Sequence, residues 1–143
     1  MRIFLDANVL LSASNRGSNI ARLVDQAVRD HVVLTCELAR EEARRNILLK
    51  RPQWSEAFDE LQDKIECVPT ALFELPVELN VAFPPNEKDR LILCSAIQSV
   101  CELLVTADKR DFGHLFEHEV QGVTVVSLIG LANRLLAPGS GDS

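Results

Sequence analysis

Two short apolar stretches of this 143-residue chain run into an aspartate. Residues 2–5 (Arg-Ile-Phe-Leu) lead to Asp6, and residues 103–107 (Leu-Leu-Val-Thr-Ala) lead to Asp108. Runs of this length and character are typical of strands that are buried on both faces of a parallel sheet. Because sites in open α/β sheets lie beyond the carboxyl ends of the strands, we expect the two carboxylates at one edge of the sheet.

The chemistry that two such carboxylates can do depends on whether a proton or a cation lies between them. Carboxylates that are brought together repel each other unless a proton or a cation lies between them. A cluster of hard oxygen ligands suits Mg²⁺ or Mn²⁺. Asp6 and Asp108 therefore predict a site for a divalent cation, although more than a hundred residues separate them in the chain.

A third acidic residue, Asp89, lies in register with an apolar helical stripe. The stripe consists of the residues three, four, seven, eight and eleven positions later, which are Ile92, Leu93, Ala96, Ile97 and Val100. An aspartate in this register faces the interior or a cleft, where an unpaired carboxylate is costly. The alternative is a first-turn charge that interacts favourably with the helix dipole.

A fourth acidic position falls on one of two adjacent glutamates. Glu42 follows Leu38 and Ala39 by one turn, which favours a position beside the apolar face. Glu41 is in register with basic residues, as on a solvated ion-pair face. We therefore favour Glu42 over Glu41, while plain helix surface remains the alternative for both.

The elements that must position these acids alternate along the chain. Strands are predicted at residues 2–6, 31–35, 64–68, 102–106 and 123–126. Helices are predicted at residues 18–29, 37–50, 53–63, 87–100, 112–119 and 128–136. This alternation indicates βαβ units and an α/β fold, which we expect to be a three-layer α/β/α sandwich with a mostly parallel sheet of four or five strands.

The chain is expected to form a single domain over residues 1–136, with a frayed tail rich in Gly, Ser and Pro at residues 137–143. Residues 71–85 are less clear and suggest a short helix followed by a loop. Asn86 is a plausible N-cap for the helix that follows.

Composition limits the class of protein. The chain is 47% hydrophobic and 25% charged, and no apolar run has the length of a membrane span. No signal peptide is apparent at its start. The four cysteines lie in apolar contexts without a C-x-x-C pair, which favours buried thiols in a reducing cytoplasm.

The net charge of −6 argues against a generic nucleic-acid binder. The positive charge is nevertheless clustered. One group lies on a single helix and the other flanks two of the acids, and they comprise Arg40, Arg44, Arg45, Lys50 and Arg51, and Lys88, Arg90, Lys109 and Arg110. Such local groups could hold a phosphate backbone, and a solvated helix face is the alternative for each residue.

Two other patterns favour structural interpretations. His114 and His118 have the spacing of two ligands on a helix, but no third ligand is evident and a surface pair is favoured. Trp54 follows Pro52 and is expected to anchor the start of a helix, with base stacking as the alternative.

Four motifs together resemble the PIN-domain family of metal-dependent nucleases, which includes VapC-type toxins. They are Phe4-Leu5-Asp6-Ala7-Asn8-Val9-Leu10, Leu38-Ala39-Arg40-Glu41-Glu42-Ala43-Arg44-Arg45-Asn46, Asn86-Glu87-Lys88-Asp89-Arg90-Leu91-Ile92-Leu93 and Leu104-Val105-Thr106-Ala107-Asp108-Lys109-Arg110-Asp111-Phe112. Each is short, but they follow the family's order and spacing and span nearly the whole chain. Two departures are Ala7, where many members have threonine, and Ala107, where glycine is common.

The resemblance implies roles for individual residues. The family's catalytic and metal-binding acids fall on Asp6, Glu42, Asp89 and Asp108. The polar helpers that would hold carboxylates and water in place fall on Asn8 and Thr106, and Asp111 matches a further acid near the last one. Phosphate contacts are expected from the neighbouring basic residues, which are Lys88, Arg90, Lys109 and Arg110.

The resemblance also implies an activity and partners. It implies an endoribonuclease that hydrolyses RNA with water activated by one or two Mg²⁺ or Mn²⁺ ions, as the toxin of a toxin–antitoxin pair. A homodimer and a small antitoxin protein are implied with it. The alternative is a catalytically silent PIN-like module that binds metal and a partner. A haloacid-dehalogenase-like phosphatase is disfavoured, since Asn8 stands where its second aspartate is needed.

Overall fold

The computed structural model describes residues 1–72 and 84–136 of the chain. Six strands form one sheet: β1 (Arg2–Leu5), β2 (Val32–Cys36), β3 (Glu66–Val68), β4 (Leu103–Val105), β5 (Glu119–Val120) and β6 (Val123–Val126). The α-helices are α1 (Ala7–Ala13), α2 (Asn19–Asp30), α3 (Glu37–Lys50), α4 (Ser55–Gln62), α5 (Glu87–Gln98), α6 (Lys109–Phe112) and α7 (Leu128–Leu136). Two short 3₁₀ turns lie at Pro52–Trp54 and Gly113–Leu115.

The sheet has the strand order β3-β2-β1-β4-β6-β5, and its first five strands run parallel. The predicted α/β/α fold with a mostly parallel sheet is confirmed, and the predicted strands correspond to these five. The antiparallel strand β5 is a sixth strand beyond the four or five that the sequence predicted. Chain connections run from β1 outwards to β3 and then return to β4 on the other side of β1. Because parallel crossovers are right-handed, connections in opposite directions place their helices on opposite faces of the sheet.

The position of β1 inside the sheet explains why its sequence is continuously apolar. Ile3, Phe4 and Leu5 of β1 are fully buried, as expected for a strand that is covered on both faces. Leu5 pairs with Val105 of β4, so the residues that follow these two strands lie side by side. The chain changes direction between β1 and β4, which is the point where α/β sheets open a crevice for ligands.

The helix predicted at residues 112–119 is wrong. The structure has the short helix α6, then the 3₁₀ turn and then the two-residue antiparallel strand β5. Gln121 and Gly122 join β5 to β6 with positive φ angles of 52° and 89°. This is the geometry of a two-residue hairpin, whose local Gln-Gly signal the helical pattern obscured.

Two helices also differ from the sequence prediction, one by its presence and one by the residue at which it ends. Helix α1 was not predicted, and it begins directly after Asp6, whose side chain caps it. Helix α5 ends at Gln98 rather than at Val100, which has a left-handed φ of 56°. The backbone N–H of Cys101 donates to the Ala96 carbonyl oxygen at 3.1 Å and closes the helix end.

Several expectations concern residues outside the described ranges. The uncertain helix and loop at residues 71–85 fall mostly on residues 73–83, and the tail covers residues 137–143. In the described part of the chain, no helix is both long and apolar enough to span a bilayer. The four cysteines all lie in the described ranges and form no disulfide there; Cys67 is half-buried and the other three are buried.

Candidate active site

Asp6 lies at the carboxyl end of β1 and is only 3% exposed. Its Oδ1 accepts a hydrogen bond from the backbone N–H of Ala7 at 2.7 Å. Its Oδ2 accepts one from the Thr106 hydroxyl at 2.8 Å and one from the Asn8 amide at 3.3 Å. Three donors on two oxygens fix the orientation of this carboxylate.

Asn8 and Thr106 connect the ends of β1 and β4. The Asn8 amide also donates to the Thr106 hydroxyl at 3.3 Å, and its Oδ1 accepts from the backbone N–H of Ala107 at 2.9 Å. The Thr106 hydroxyl, which is fully buried, accepts from the backbone N–H of Asp108 at 3.1 Å. The network therefore fixes the backbone at Asp108 as well as the side chain of Asp6.

Asp89, Asp108 and Asp111 form a second group, called here the aspartate trio. One carboxylate oxygen from each lies within 4.8 Å of the others. Asp89 is 4% exposed in the first turn of α5, while Asp108 caps α6 by accepting from the backbone N–H of Asp111 at 3.0 Å. Because Asp108 caps the backbone N–H of the residue three positions later, the Asp111 carboxyl also lies within 4.8 Å of the carboxyls of Asp89 and Asp108. The Asp-x-x-Asp spacing is the sequence signal that predicts this proximity.

The trio favours a proton or a cation. Burial raises the pKa of Asp89 to about 7, and its hydrogen bond with the Asp111 carboxyl and the charges of Asp6 and Asp108 act in the same direction. The neighbouring acids and burial make ionisation of Asp89 costly, and a cation bound between these carboxyls would offset that cost by displacing the proton.

Glu42 reaches the site from α3. Its side chain is 19% exposed and accepts a close hydrogen bond from the Lys88 ammonium. Glu41 is 54% exposed and pairs with Arg44 at 3.1 Å and Arg40 at 3.7 Å, as expected for a solvated face. Of the two glutamates, Glu42 is the one directed towards the other acids.

The site has two halves, Asp6 with its hydrogen-bond donors and the aspartate trio, and they are linked electrostatically. Burial raises the pKa of Asp6, and the charge of Glu42 raises it further, while the bonds from Thr106 and Ala7 oppose the shift. The charge of Asp6 in turn raises the pKa of Asp89. The donor set is made of carboxylates only, which fits a hard divalent cation such as Mg²⁺ or Mn²⁺.

The four predicted phosphate-binding residues have different surroundings. The Lys88 ammonium is paired with Glu42. The Arg90 guanidinium donates to the carbonyl oxygens of Pro84 at 3.2 Å and Pro85 at 2.6 Å, and so fixes the chain before α5. Lys109 and Arg110 are exposed in α6, directly after Asp108.

Two members of the basic cluster at α3, Arg40 and Arg44, both pair with Glu41. The Arg44 guanidinium lies 5.6 Å from the centre of the Phe58 ring and pairs with Glu41. His114 and His118 do not share the helix that their spacing predicted, since the 3₁₀ turn ends between them. Trp54 packs against the core just before α4, as its position after Pro52 predicted.

Comparisons with known proteins agree with this architecture. No curated protein matches the chain significantly. A chain in the crystal structure of VapBC2 from Rickettsia felis, bound to a DNA fragment from its promoter, has a TM-score of 0.67 with 14% sequence identity. The match covers 89% of this chain and 98% of that one, and at this identity it shows a shared fold. A family model described as the PIN domain matches residues 3–115, and the chain therefore belongs to the PIN-domain family.

Proposed function

We propose that the protein is a divalent-metal-dependent endoribonuclease that hydrolyses RNA phosphodiester bonds. The observation that carries the proposal is the convergence of carboxylates from α3, α5 and the ends of β1 and β4. Burial, together with the charges of the neighbouring acids, raises the pKa of Asp6 and Asp89. Such a cost persists at functional sites more often than elsewhere. Membership of the PIN-domain family supports nuclease chemistry at this position.

The residues fit one or two Mg²⁺ or Mn²⁺ ions. Asp6, Glu42, Asp89 and Asp108 would hold them, and the distances within the trio add Asp111 to this set. When bound, such ions supply an activated water and neutralise charge on the phosphate. Carboxylates on separate elements suit this role, because these ions keep several of their waters and need few protein ligands.

The chain's own residues hold and orient the reacting groups. Asn8 and Thr106 fix the Asp6 carboxylate and the backbone at Asp108, which preorganises the site before RNA binds. Glu42, at the edge of the cluster, can orient the attacking water and accept its proton. Lys109 and Arg110 lie beside Asp108 and are exposed, so they can contact substrate phosphates.

The biological role proposed with this activity is that of the toxin in a toxin–antitoxin pair. The fold is similar to a chain of the VapBC2 complex of Rickettsia felis, which supports a small antitoxin as partner. A homodimer and a cytoplasmic location complete the proposal, and the free thiols fit a reducing compartment. Light scattering of the purified protein tests the dimer, and a strict monomer at high concentration would contradict it.

Cleavage of a mixed RNA pool by the purified protein tests the activity. We expect fragments with Mn²⁺ or Mg²⁺ and none after chelation, and Asp6→Asn should be inactive. The matched control is Asp25→Asn, which removes an exposed acid on α2 and should leave cleavage unchanged. Metal binding without cleavage by the wild type would instead favour a silent metal- and partner-binding module.

A further inference from the structure

The basic side chain of Lys88 pairs directly with Glu42, one of the acids of the proposed site. Its ammonium donates from the first turn of α5 to Oε1 of Glu42 on α3, which lies 46 positions earlier in the chain. The lysine side chain is 40% exposed and the glutamate side chain 19% exposed. The pair therefore lies at the mouth of the acidic cluster, where solvent can still reach the ammonium.

The same ammonium acts on the other acids. Its charge lowers the pKa of Asp6 and of Asp89, opposing the effect of burial on both. The hydrogen bond to Glu42 and the charges of Asp89 and Asp6 raise the pKa of Lys88 itself. One cation thus compensates three carboxylates from three separate elements.

Under the proposed function, Glu42 is one of the acids that would hold the divalent ion, and its Oε1 already accepts a hydrogen bond from the Lys88 ammonium. We propose that Lys88 is a built-in counter-cation, which competes with the divalent metal for Glu42 and so limits the affinity of the site for metal. This inference rests on the proposed metal-dependent function and adds a residue that controls loading of the site. When metal binds Glu42, the Lys88 ammonium, whose side chain is 40% exposed, is released towards solvent.

Calorimetric titration of the metal-free protein with Mn²⁺, in the absence of RNA, tests the competition. Lys88→Met should bind Mn²⁺ about fivefold more tightly than the wild type, the equivalent of a partly exposed ion pair. Lys109→Met is the matched control, because it removes a nearby exposed charge that makes no ion pair with Glu42 in the described part of the chain. It should change Mn²⁺ affinity much less.

A charge-retaining variant tests the same point if Lys88→Met does not fold. Lys88→Arg keeps the cation and can bind the Glu42 carboxylate through two N–H groups. Its affinity for Mn²⁺ should equal or fall below that of the wild type. Tighter binding by Lys88→Arg would overturn the proposal.

A double-mutant cycle separates the contact from general electrostatics. In a Glu42→Gln background, Lys88→Met should no longer raise Mn²⁺ affinity, since the shared oxygen has lost its charge. A gain that persists in this background, or one that Lys109→Met reproduces, would overturn the counter-cation role. If the wild type binds no Mn²⁺, the proposed function fails together with this inference, whereas normal wild-type binding with an unchanged Lys88→Met contradicts this inference alone.

Discussion

The two halves of the acidic cluster, Asp6 and the aspartate trio, differ in the hydrogen-bond donors that their carboxylates receive. Asp6 receives hydrogen bonds from a backbone N–H, an amide and a hydroxyl, all from the ends of β1 and β4. In the aspartate trio, the Asp89 carboxyl instead shares a hydrogen bond with the Asp111 carboxyl. Asp108 accepts a hydrogen bond from one backbone N–H, that of Asp111. The first half is oriented by the protein alone, while the second depends on a proton or a cation.

This contrast suggests a division of labour. A carboxylate with fixed donors keeps its position whether or not metal is present, so Asp6 can define the geometry of the site. A trio of mutually repelling carboxylates gains most from a cation, so it can supply the driving force for binding. Substitutions in the two halves should therefore have different effects.

The largest effect is expected for Asp6→Asn, which removes the charge that the donor network orients. Cleavage of RNA with Mn²⁺ should fall by a factor on the order of 10³, comparable to the loss of a main charge-stabilising group. The variant should remain folded, as judged by its melting temperature without metal. A variant with normal metal-dependent cleavage would contradict the assignment of Asp6.

Asp89→Asn should stabilise the metal-free protein, with a clear dependence on pH. The pKa of Asp89 in the folded state is raised to about 7, so the folded protein binds this proton more tightly than the unfolded chain. The protonated Asp89 carboxyl therefore adds to the free energy of unfolding at low pH. This contribution is lost as the pH rises from the pKa of Asp89 in the unfolded chain towards 7 and beyond. At about pH 8 the variant should have a free energy of unfolding about 2 kcal/mol above that of the wild type.

Urea unfolding in the presence of a chelator measures this difference. It should shrink as the pH falls and approach zero at about pH 3, below the ordinary aspartate pKa, where the Asp89 carboxyl is protonated in both the folded and the unfolded wild type. Asp6→Asn should gain less at about pH 8, because the substitution also disturbs three hydrogen bonds. Equal, pH-independent effects of the two substitutions would remove the contrast between the halves.

Thr106→Val tests the donor network with little change in shape. It removes a buried hydroxyl that donates to Asp6 and accepts from the backbone N–H of Asp108. We expect a loss of about 1–2 kcal/mol in stability, because the buried Asp6 carboxylate and the partly buried N–H of Asp108 each lose a hydrogen-bond partner. Activity should fall about tenfold, as for other residues that orient metal-binding groups. Thr106→Ser restores the hydroxyl and should recover most of both losses.

The smallest effect is expected for the exposed cations beside the trio. The double substitution of Lys109 and Arg110 by alanine should weaken RNA binding only severalfold. It should also reduce the slope of log affinity against log salt by about one for each phosphate that the protein no longer neutralises. A matched double substitution of the exposed Arg29 and Lys64 by alanine serves as control, because neither belongs to the candidate phosphate-binding groups. Identical salt slopes for the two variants would place the path of the RNA elsewhere.

The sequence by itself determined the alternating elements and the positions of the strand-end acids. Apolar runs such as residues 3–5 and 103–105 are local patterns, and their burial in parallel strands follows from the period of the side chains. The register of Asp89 on its helix is local in the same sense, and the structure buries this residue as predicted. Local pattern was therefore enough to predict Asp6 and Asp108 at one sheet edge and to predict that Asp89 is buried, while the resemblance to the PIN-domain family joined Asp89 to the other two acids.

Only the tertiary structure decided which groups neutralise one another there. Lys88 pairs with Glu42 across two helices, and Arg90 is turned towards two proline carbonyl oxygens, although both looked equally available in sequence. The segment at residues 112–119 became a turn and an edge strand because β6 offered it a pairing partner. Such choices depend on residues that are distant in the chain, and the free energy of a charge or an edge strand depends on the neighbours that folding supplies.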